Sequence, residues 1–179
     1  MGKLQYQCTM SLDGFIAGPG GDMSWLAGQV GDEGQSGEVA SQVGALLVGN
    51  RTFGGDDPNR GTENEGAYGG TWHGPTFVLT HHPPDRPVPD VTFVDDLPRA
   101  VAAARAAAGE RHVAVLGADV ARQCIEAGLL DEILVFIAPV LLGDGVRLFH
   151  RPGGATVRLE RLDQAHSPGP TRMLLRVLR

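Results

Sequence analysis

The sequence predicts an α/β domain built on a mixed, mostly parallel sheet, and three observations carry that expectation. Short apolar runs that read as buried strands alternate with helical stretches through the middle of the chain, an order that pairs strands in parallel through right-handed crossovers. Two strand-like runs at the end flank a proline–glycine turn and add an antiparallel hairpin. The length, 179 residues, suits one domain over positions 1–179 with one core, and the composition, 42% hydrophobic and 20% charged, excludes wholesale disorder.

Leu4 to Met10 reads as the first strand, and Ser11-Leu-Asp-Gly-Phe-Ile-Ala-Gly18 leads into a glycine- and proline-rich turn. Ser36 to Ala45 reads as a short helix capped by Ser36, with Val39, Val43 and Leu46 on one face. Ala45-Leu-Leu-Val48, stopped by Gly49, reads as a buried strand. Phe53 to Gly74 is a long polar, glycine-rich segment carrying Trp72, the kind of loop that is usually functional. Thr76 to Thr80 and Val91 to Val94 read as strands. Asp95 and Asp96 then offer an N-cap, Pro98 suits a first turn, and the alanine-rich stretch to Ala108 reads as a helix ended by Gly109. Val113 to Leu116 is a strand, Asp119 to Ala127 a helix stopped by Gly128, and Glu132 to Ala138 a strand ended by Pro139. Val157 to Leu162 and Arg172 to Leu178 form the hairpin about the Ser167-Pro-Gly-Pro170 turn.

Fifteen basic against twenty-one acidic residues leave a net charge of −6, a field that favours neither nucleic acid nor an anionic membrane. Two cysteines, Cys8 and Cys124, are too few for a disulfide scaffold or a four-cysteine zinc site and read as packing thiols. No apolar run spans a membrane, the start lacks a signal peptide's long apolar stretch, and Tyr6 stands where a myristoylation pattern needs Ser or Thr. The expectation is a soluble cytoplasmic protein. Lys3 is the only lysine, and at the chain's frayed start it leaves no buried amine for Schiff-base chemistry.

Ligands of open α/β sheets bind outside the carboxyl ends of the strands. Two strand ends are marked by glycine: Val48-Gly49-Asn50-Arg51-Thr52 and Leu116-Gly117-Ala118-Asp119-Val120, the second opening a helix. A helix start approached by glycine leaves N–H groups and a positive dipole end for a phosphate, with Arg51 adding a forked cation and Thr52 a hydroxyl. Ordinary tight turns remain the alternative, since neither matches GxGxxG or a P-loop. His81-His82 lies on an extended, proline-flanked segment where neighbours point to opposite sides, so no metal site is expected. Asp13 suits either acid chemistry or an Asp-Gly turn. Trp25 and Trp72 each either cover a ligand or plug the core edge. No Ser/His/Asp spacing supports a hydrolase, and Asp131-Glu132 reads as a solvated helix–strand junction.

With these residues in view, the chain resembles the dihydrofolate reductase superfamily, and within it the reductase domain of the bifunctional riboflavin-biosynthesis deaminase–reductase and its stand-alone relatives. The resemblance rests on Ser11-Leu-Asp-Gly-Phe-Ile-Ala17, Leu47-Val-Gly-Asn-Arg-Thr52, Phe77-Val-Leu-Thr80, Val115-Leu-Gly-Ala118 and Gly128-Leu-Leu-Asp-Glu132 running into Ala138-Pro-Val-Leu-Leu-Gly-Asp-Gly145, in family order. Nothing resembles the zinc deaminase half. The resemblance implies an eight-stranded mixed sheet in a three-layer fold, a homodimer, and NADPH as cofactor. It implies Thr9, Ile16 and Trp25 on the nicotinamide side, Gly49, Arg51, Thr52 and Asp56 at ribose and phosphates, and Thr80 near the adenine end. Gly117, Ala118, Asp119, Val120 and Ala121 would grip the pyrophosphate, although relatives often show Gly-Gly where Gly117-Ala118 stands.

The expected function is therefore an NADPH-dependent reductase that delivers hydride to a C=N or C=O bond of a small heterocyclic (pterin- or pyrimidine-like) or carbonyl substrate, with Asp13 orienting substrate or relaying a proton. A non-catalytic nucleotide-binding module of the same fold is the competing class. The riboflavin-pathway substrate is expected not to fit. The resemblance implies an Arg before the second strand and an acid just before the phosphate-loop glycine, whereas no Arg or Lys lies between Lys3 and Arg51 and position 116 is Leu. Arg60 or Arg86 could substitute from the loops.

Overall fold

The computed structural model describes residues 2–27, 33–165 and 169–179. Strands β1 (Leu4–Ser11) and β2 (Phe15–Ala17) open the chain, followed by helix α1 (Glu33–Ser41), β3 (Val43–Gly49) and the single turn α2 (Asn50–Phe53). Then come β4 (Thr76–Leu79), β5 (Val91–Val94), α3 (Leu97–Ala108), β6 (His112–Leu116), α4 (Ala118–Glu126) and β7 (Glu132–Ala138). The two-residue β8 (Val146–Arg147), β9 (Leu159–Ala165) and β10 (Thr171–Val177) complete it. No helix among the described residues is long and apolar enough to cross a membrane.

Eight strands form one sheet in the order β5-β4-β3-β6-β1-β7-β10-β9. The first six run parallel, and β10 lies antiparallel to both β7 and β9. This is the mixed sheet with a terminal antiparallel pair that the sequence predicts. One face buries Leu4 and Tyr6 of β1, Leu47 of β3 and Val113 and Val115 of β6 under Ala104 of α3 and Val120 and Cys124 of α4. Helix α3 forms where expected because Asp96 accepts from the Arg99 N–H at 2.9 Å and caps it.

The opposite face has a different cover. Val43, Leu46, Val48, Val78 and Ala114 pack under Ala67, Tyr68 and Trp72 of the long segment after α2, and Trp72 Nε1 donates to the Val43 carbonyl at 3.1 Å. Trp72 thus plugs a core edge. Asp57 ties the segment to itself by accepting from the N–H groups of Asn59 and Gly66 at 2.8 Å each.

Several expectations need correction. The helix read over Ser36–Ala45 ends at Ser41, and its cap Ser36 falls inside it. Val43 and Ala45 belong to β3, where β-branched Val43 and Val48 and a bulge between Val43 and Ala45 suit an extended chain. Strand β9 starts two residues later than expected and runs to Ala165, while Ser167 and Pro168 of the connecting turn lie outside the described residues. The short β2–β8 ladder and α2 carry too few residues to leave a periodic signal. Asp131-Glu132 is not a solvated junction: Glu132 is the first residue of β7, 3% exposed, and pairs with the Lys3 ammonium, which is therefore not frayed. Asp131 accepts from the Leu4 N–H at 2.9 Å, Arg105 at 2.8 Å and Arg179 at 2.9 Å, tying β1 and α3 to the start of β7.

Candidate functional site

The two glycine-marked strand ends stand side by side, because β3 and β6 are neighbours with Val48 opposite Leu116. Beyond them the chain turns from β3 into α2 at Gly49 and from β6 into α4 at Gly117. Gly117 has φ +100° and ψ 133°, a conformation that L side chains rarely adopt, and a Cβ there would collide with the Thr52 hydroxyl. Gly49 is tight but less so, since a Cβ on it would lie 3.1 Å from Val120 Cγ2. The sequence thus provides bare backbone at the two positions where the turns meet.

No side chain caps the start of α4, so its first N–H groups have no side-chain acceptor. The Ala121 N–H is already donated to the Gly117 carbonyl at 3.1 Å, and the buried Val120 and Ala121 side chains anchor the turn to the core. The first-turn N–H groups without an intrahelical acceptor are therefore those of Ala118, Asp119 and Val120. The Asp119 carboxylate turns aside to Arg122 at 2.7 Å and Gln123 at 2.8 Å. The Arg122 hydrogen bond, chiefly, lowers its pKa, and Arg51 is near enough to add to that effect.

The other expected residues lie around this edge. Thr80 follows β4, next to β3; its N–H donates to the Val94 carbonyl and its Oγ1 accepts from the His82 N–H at 3.0 Å. His81 and His82 are both exposed in that turn. Asp56 accepts from the Met23 N–H at 3.1 Å, which joins the turn bearing Trp25 to the segment after α2. Trp25 Nε1 is buried and meets no acceptor among the described residues. Ile16 is half-buried in β2, and Thr9 is half-buried near the carboxyl end of β1. Cys8 and Cys124 pack on the main core, and burial pushes both thiols up to about 12.

Asp13 fastens two loops. Its carboxylate accepts from Ser11 Oγ at 2.6 Å, the Gly143 N–H at 2.7 Å and the Leu142 N–H at 3.1 Å. The Ser11 hydroxyl first, then the two amides, hold its pKa down at about 2. The group is an ionised acceptor that pins the β1–β2 turn to the loop after β7.

Two residues at this edge escaped the sequence reading. Gln7 of β1 is 6% exposed and accepts a hydrogen bond from the Tyr68 hydroxyl. Tyr68, on the long segment, packs on the same apolar cluster as Leu116, the residue before Gly117. Gln7 and Tyr68 are 61 positions apart, so no local motif links them. The available signal was Gln5, Gln7 and Thr9 recurring at every second position, a polar stripe on a strand whose other side is core.

The sequence profile of the RibD C-terminal domain matches residues 2–168. The chain belongs to the RibD C-terminal domain family. Solved structures agree at the level of fold. A provisionally assigned riboflavin biosynthesis protein from Shewanella sp. PV-4 superposes with a TM-score of 0.75 at 22% identity, covering 99% of both chains. RibD of Acinetobacter baumannii gives 0.71 at 19% identity over 99% of this chain, which spans 58% of that protein's length. The riboflavin biosynthesis reductase Rib7 of Saccharomyces cerevisiae gives 0.65 at 16% identity, covering 99% of this chain and 90% of that one. No match was found among curated protein sequences. The fold of this RibD C-terminal domain is thus dihydrofolate-reductase-like, as the sequence motifs implied.

Proposed function

We propose that the protein is an NADPH-dependent reductase of a small nitrogen heterocycle, with pyrimidines the foremost class. The observation that carries this reading is the joined pair of bare strand ends, Gly49 against Val120 and Gly117 against Thr52, beside the uncapped start of α4. That cradle fits a dinucleotide: the N–H groups of Ala118, Asp119 and Val120 would hold its phosphates, with Thr52 adding a hydroxyl. Arg51 would take the 2′-phosphate, Gly49 and Asp56 the ribose side and Thr80 the adenine end. The buried, unpartnered Trp25 Nε1, together with Thr9 and Ile16, would line the nicotinamide side. Bound there, NADPH would supply a hydride. The chain's own part is to orient the two reactants, exclude water and hold charge in place.

Asp13 fits the first of its two expected roles. A carboxylate with a pKa of about 2 and three donors on it carries no proton at neutral pH, so it would shape the substrate mouth through the loops it pins. Soluble cytoplasmic placement and a homodimer complete the proposal.

The riboflavin-pathway reductase is a second reading, favoured by the family match and by what its relatives are described as doing. Against it stand the absence of Arg and Lys between residues 3 and 51 and the apolar Leu116, which shares its cluster with Tyr68. An anionic substrate phosphate would need a cation there. NADPH oxidation, followed by absorbance against a panel of pterins, pyrimidines and the phosphoribosylaminopyrimidine, separates the readings. Turnover of an uncharged heterocycle alone supports the first, and turnover of the phosphorylated substrate alone supports the second. Binding without any turnover would favour the non-catalytic module.

A further inference from the structure

A file of hydrogen bonds runs along the sheet face away from α3 and α4. Lys3 donates to Glu132 Oε1, Gln5 Nε2 donates to Glu132 Oε2 at 3.0 Å, and Gln7 Nε2 donates to Gln5 Oε1 at 2.7 Å. The Tyr68 hydroxyl closes the file on Gln7 Oε1. Glu132, Gln5 and Gln7 are 3, 4 and 6% exposed, so water does not interrupt it.

The first member fixes the direction of all the others. An ionised carboxylate only accepts, so Gln5 must turn its amide nitrogen to Glu132 and its oxygen to Gln7. Gln7 is then forced the same way, nitrogen to Gln5 and oxygen to Tyr68. Tyr68 has one proton and donates it to Gln7. Its oxygen is left with lone pairs only.

The acceptor of that hydroxyl, Gln7, lies beside the functional edge. Gln7 lies one step beyond Tyr6, whose partner on β6 is Val115, which places it beside Leu116. Tyr68 and Leu116 pack on one apolar cluster, and Gly117 with its cradle follows directly. The backbone there is itself held in an unusual state: Tyr68 has φ +55°, between Gly66 at +109° and Gly69 at +65°. Such a conformation persists only where surrounding contacts enforce it.

We propose that this file makes Tyr68 a specificity-determining hydrogen-bond acceptor at the substrate site, selecting ligands that present an N–H at that point, such as the ring imide of a pyrimidinedione. Glu132 is a positioning residue that acts through Gln5 and Gln7. The proposal rests on the reductase reading for the position of the substrate.

The test uses the full chain with NADPH, and two ligands that differ in their ring N–H groups, uracil and 1,3-dimethyluracil, measured by ligand-observed NMR titration. The wild type is expected to prefer uracil about tenfold, the worth of one hydrogen bond. Tyr68→Phe, which removes one oxygen, should bring the two ligands level. Glu132→Gln keeps the volume but can donate as well as accept, so the glutamines can rotate; it should shrink the preference and shift the Tyr68 Cζ resonance while leaving Tyr6 unmoved. With two tyrosines in the chain, Tyr68→Phe assigns that signal. A preference that survives Tyr68→Phe, no preference in the wild type, or no binding of either pyrimidine overturns the proposal. NADPH binding in the same samples reports separately on the reductase reading.

Discussion

Replacing Gly117 by alanine probes the cradle at its tightest point. Two costs follow from the structure. The backbone at φ +100°, ψ 133° lies where an L residue is strained, a penalty on the order of 1–3 kcal/mol. The new methyl would also overlap Thr52 Oγ1, so Thr52 has to move or the turn has to open. Thr52→Ala removes the hydroxyl and leaves its Cβ at 3.4 Å from the new methyl, so the double variant should recover the overlap and keep the backbone strain. Urea unfolding of wild type, both single variants and the double variant forms a double-mutant cycle. Gly117→Ala should be less stable than wild type by at least the strain, and the second substitution should return part of that loss. Dinucleotide affinity should fall in both variants that carry the Gly117→Ala change, since the N–H donors of α4 depend on this turn. A Gly117→Ala protein as stable as wild type, binding NADPH equally well, would falsify the cradle.

Three further outcomes are expected. Arg51→Ala should erase a preference for NADPH over NADH of roughly 1.5–3 kcal/mol, the scale of a charge-assisted hydrogen bond, and equal affinities in the wild type would sink the assignment. Asp13 has a folded pKa of about 2 against an ordinary 3.8, so its contribution to stability is complete above pH about 4 and is lost as pH falls through about 2. Stability curves of wild type and Asp13→Asn should therefore converge across that window, and parallel curves would refute the role. Amide exchange over residues 54–74 should slow when cofactor and substrate are both bound; no change on binding would show that the segment is a fixed cover.

Much of the fold was legible because its signals are local. Val113–Leu116 and Ile133–Ala138 are continuous apolar runs ended by glycine or proline, and Asp96 with Pro98 announces α3 within four residues. The glycine-marked strand ends were legible for the same reason. What failed needed partners distant in sequence. Val43 and Leu46 fit a helical face as well as a strand, and the sheet neighbours of β3 decide between them. The burial of Glu132 depends on Lys3, 129 positions away, and Tyr68 acquires its meaning from Gln7. Charge next to a strand reads as solvated until the topology shows what covers it.

The central claim is that the ends of β3 and β6 together hold a dinucleotide. Calorimetric titration of the 179-residue chain with NADPH, and then with NADH, tests it without requiring any substrate. Saturable binding of NADPH at one site per chain is expected, with weaker binding of NADH and loss of most of the NADPH heat in Gly117→Ala. Absence of saturable NADPH binding to the folded wild-type protein would contradict it.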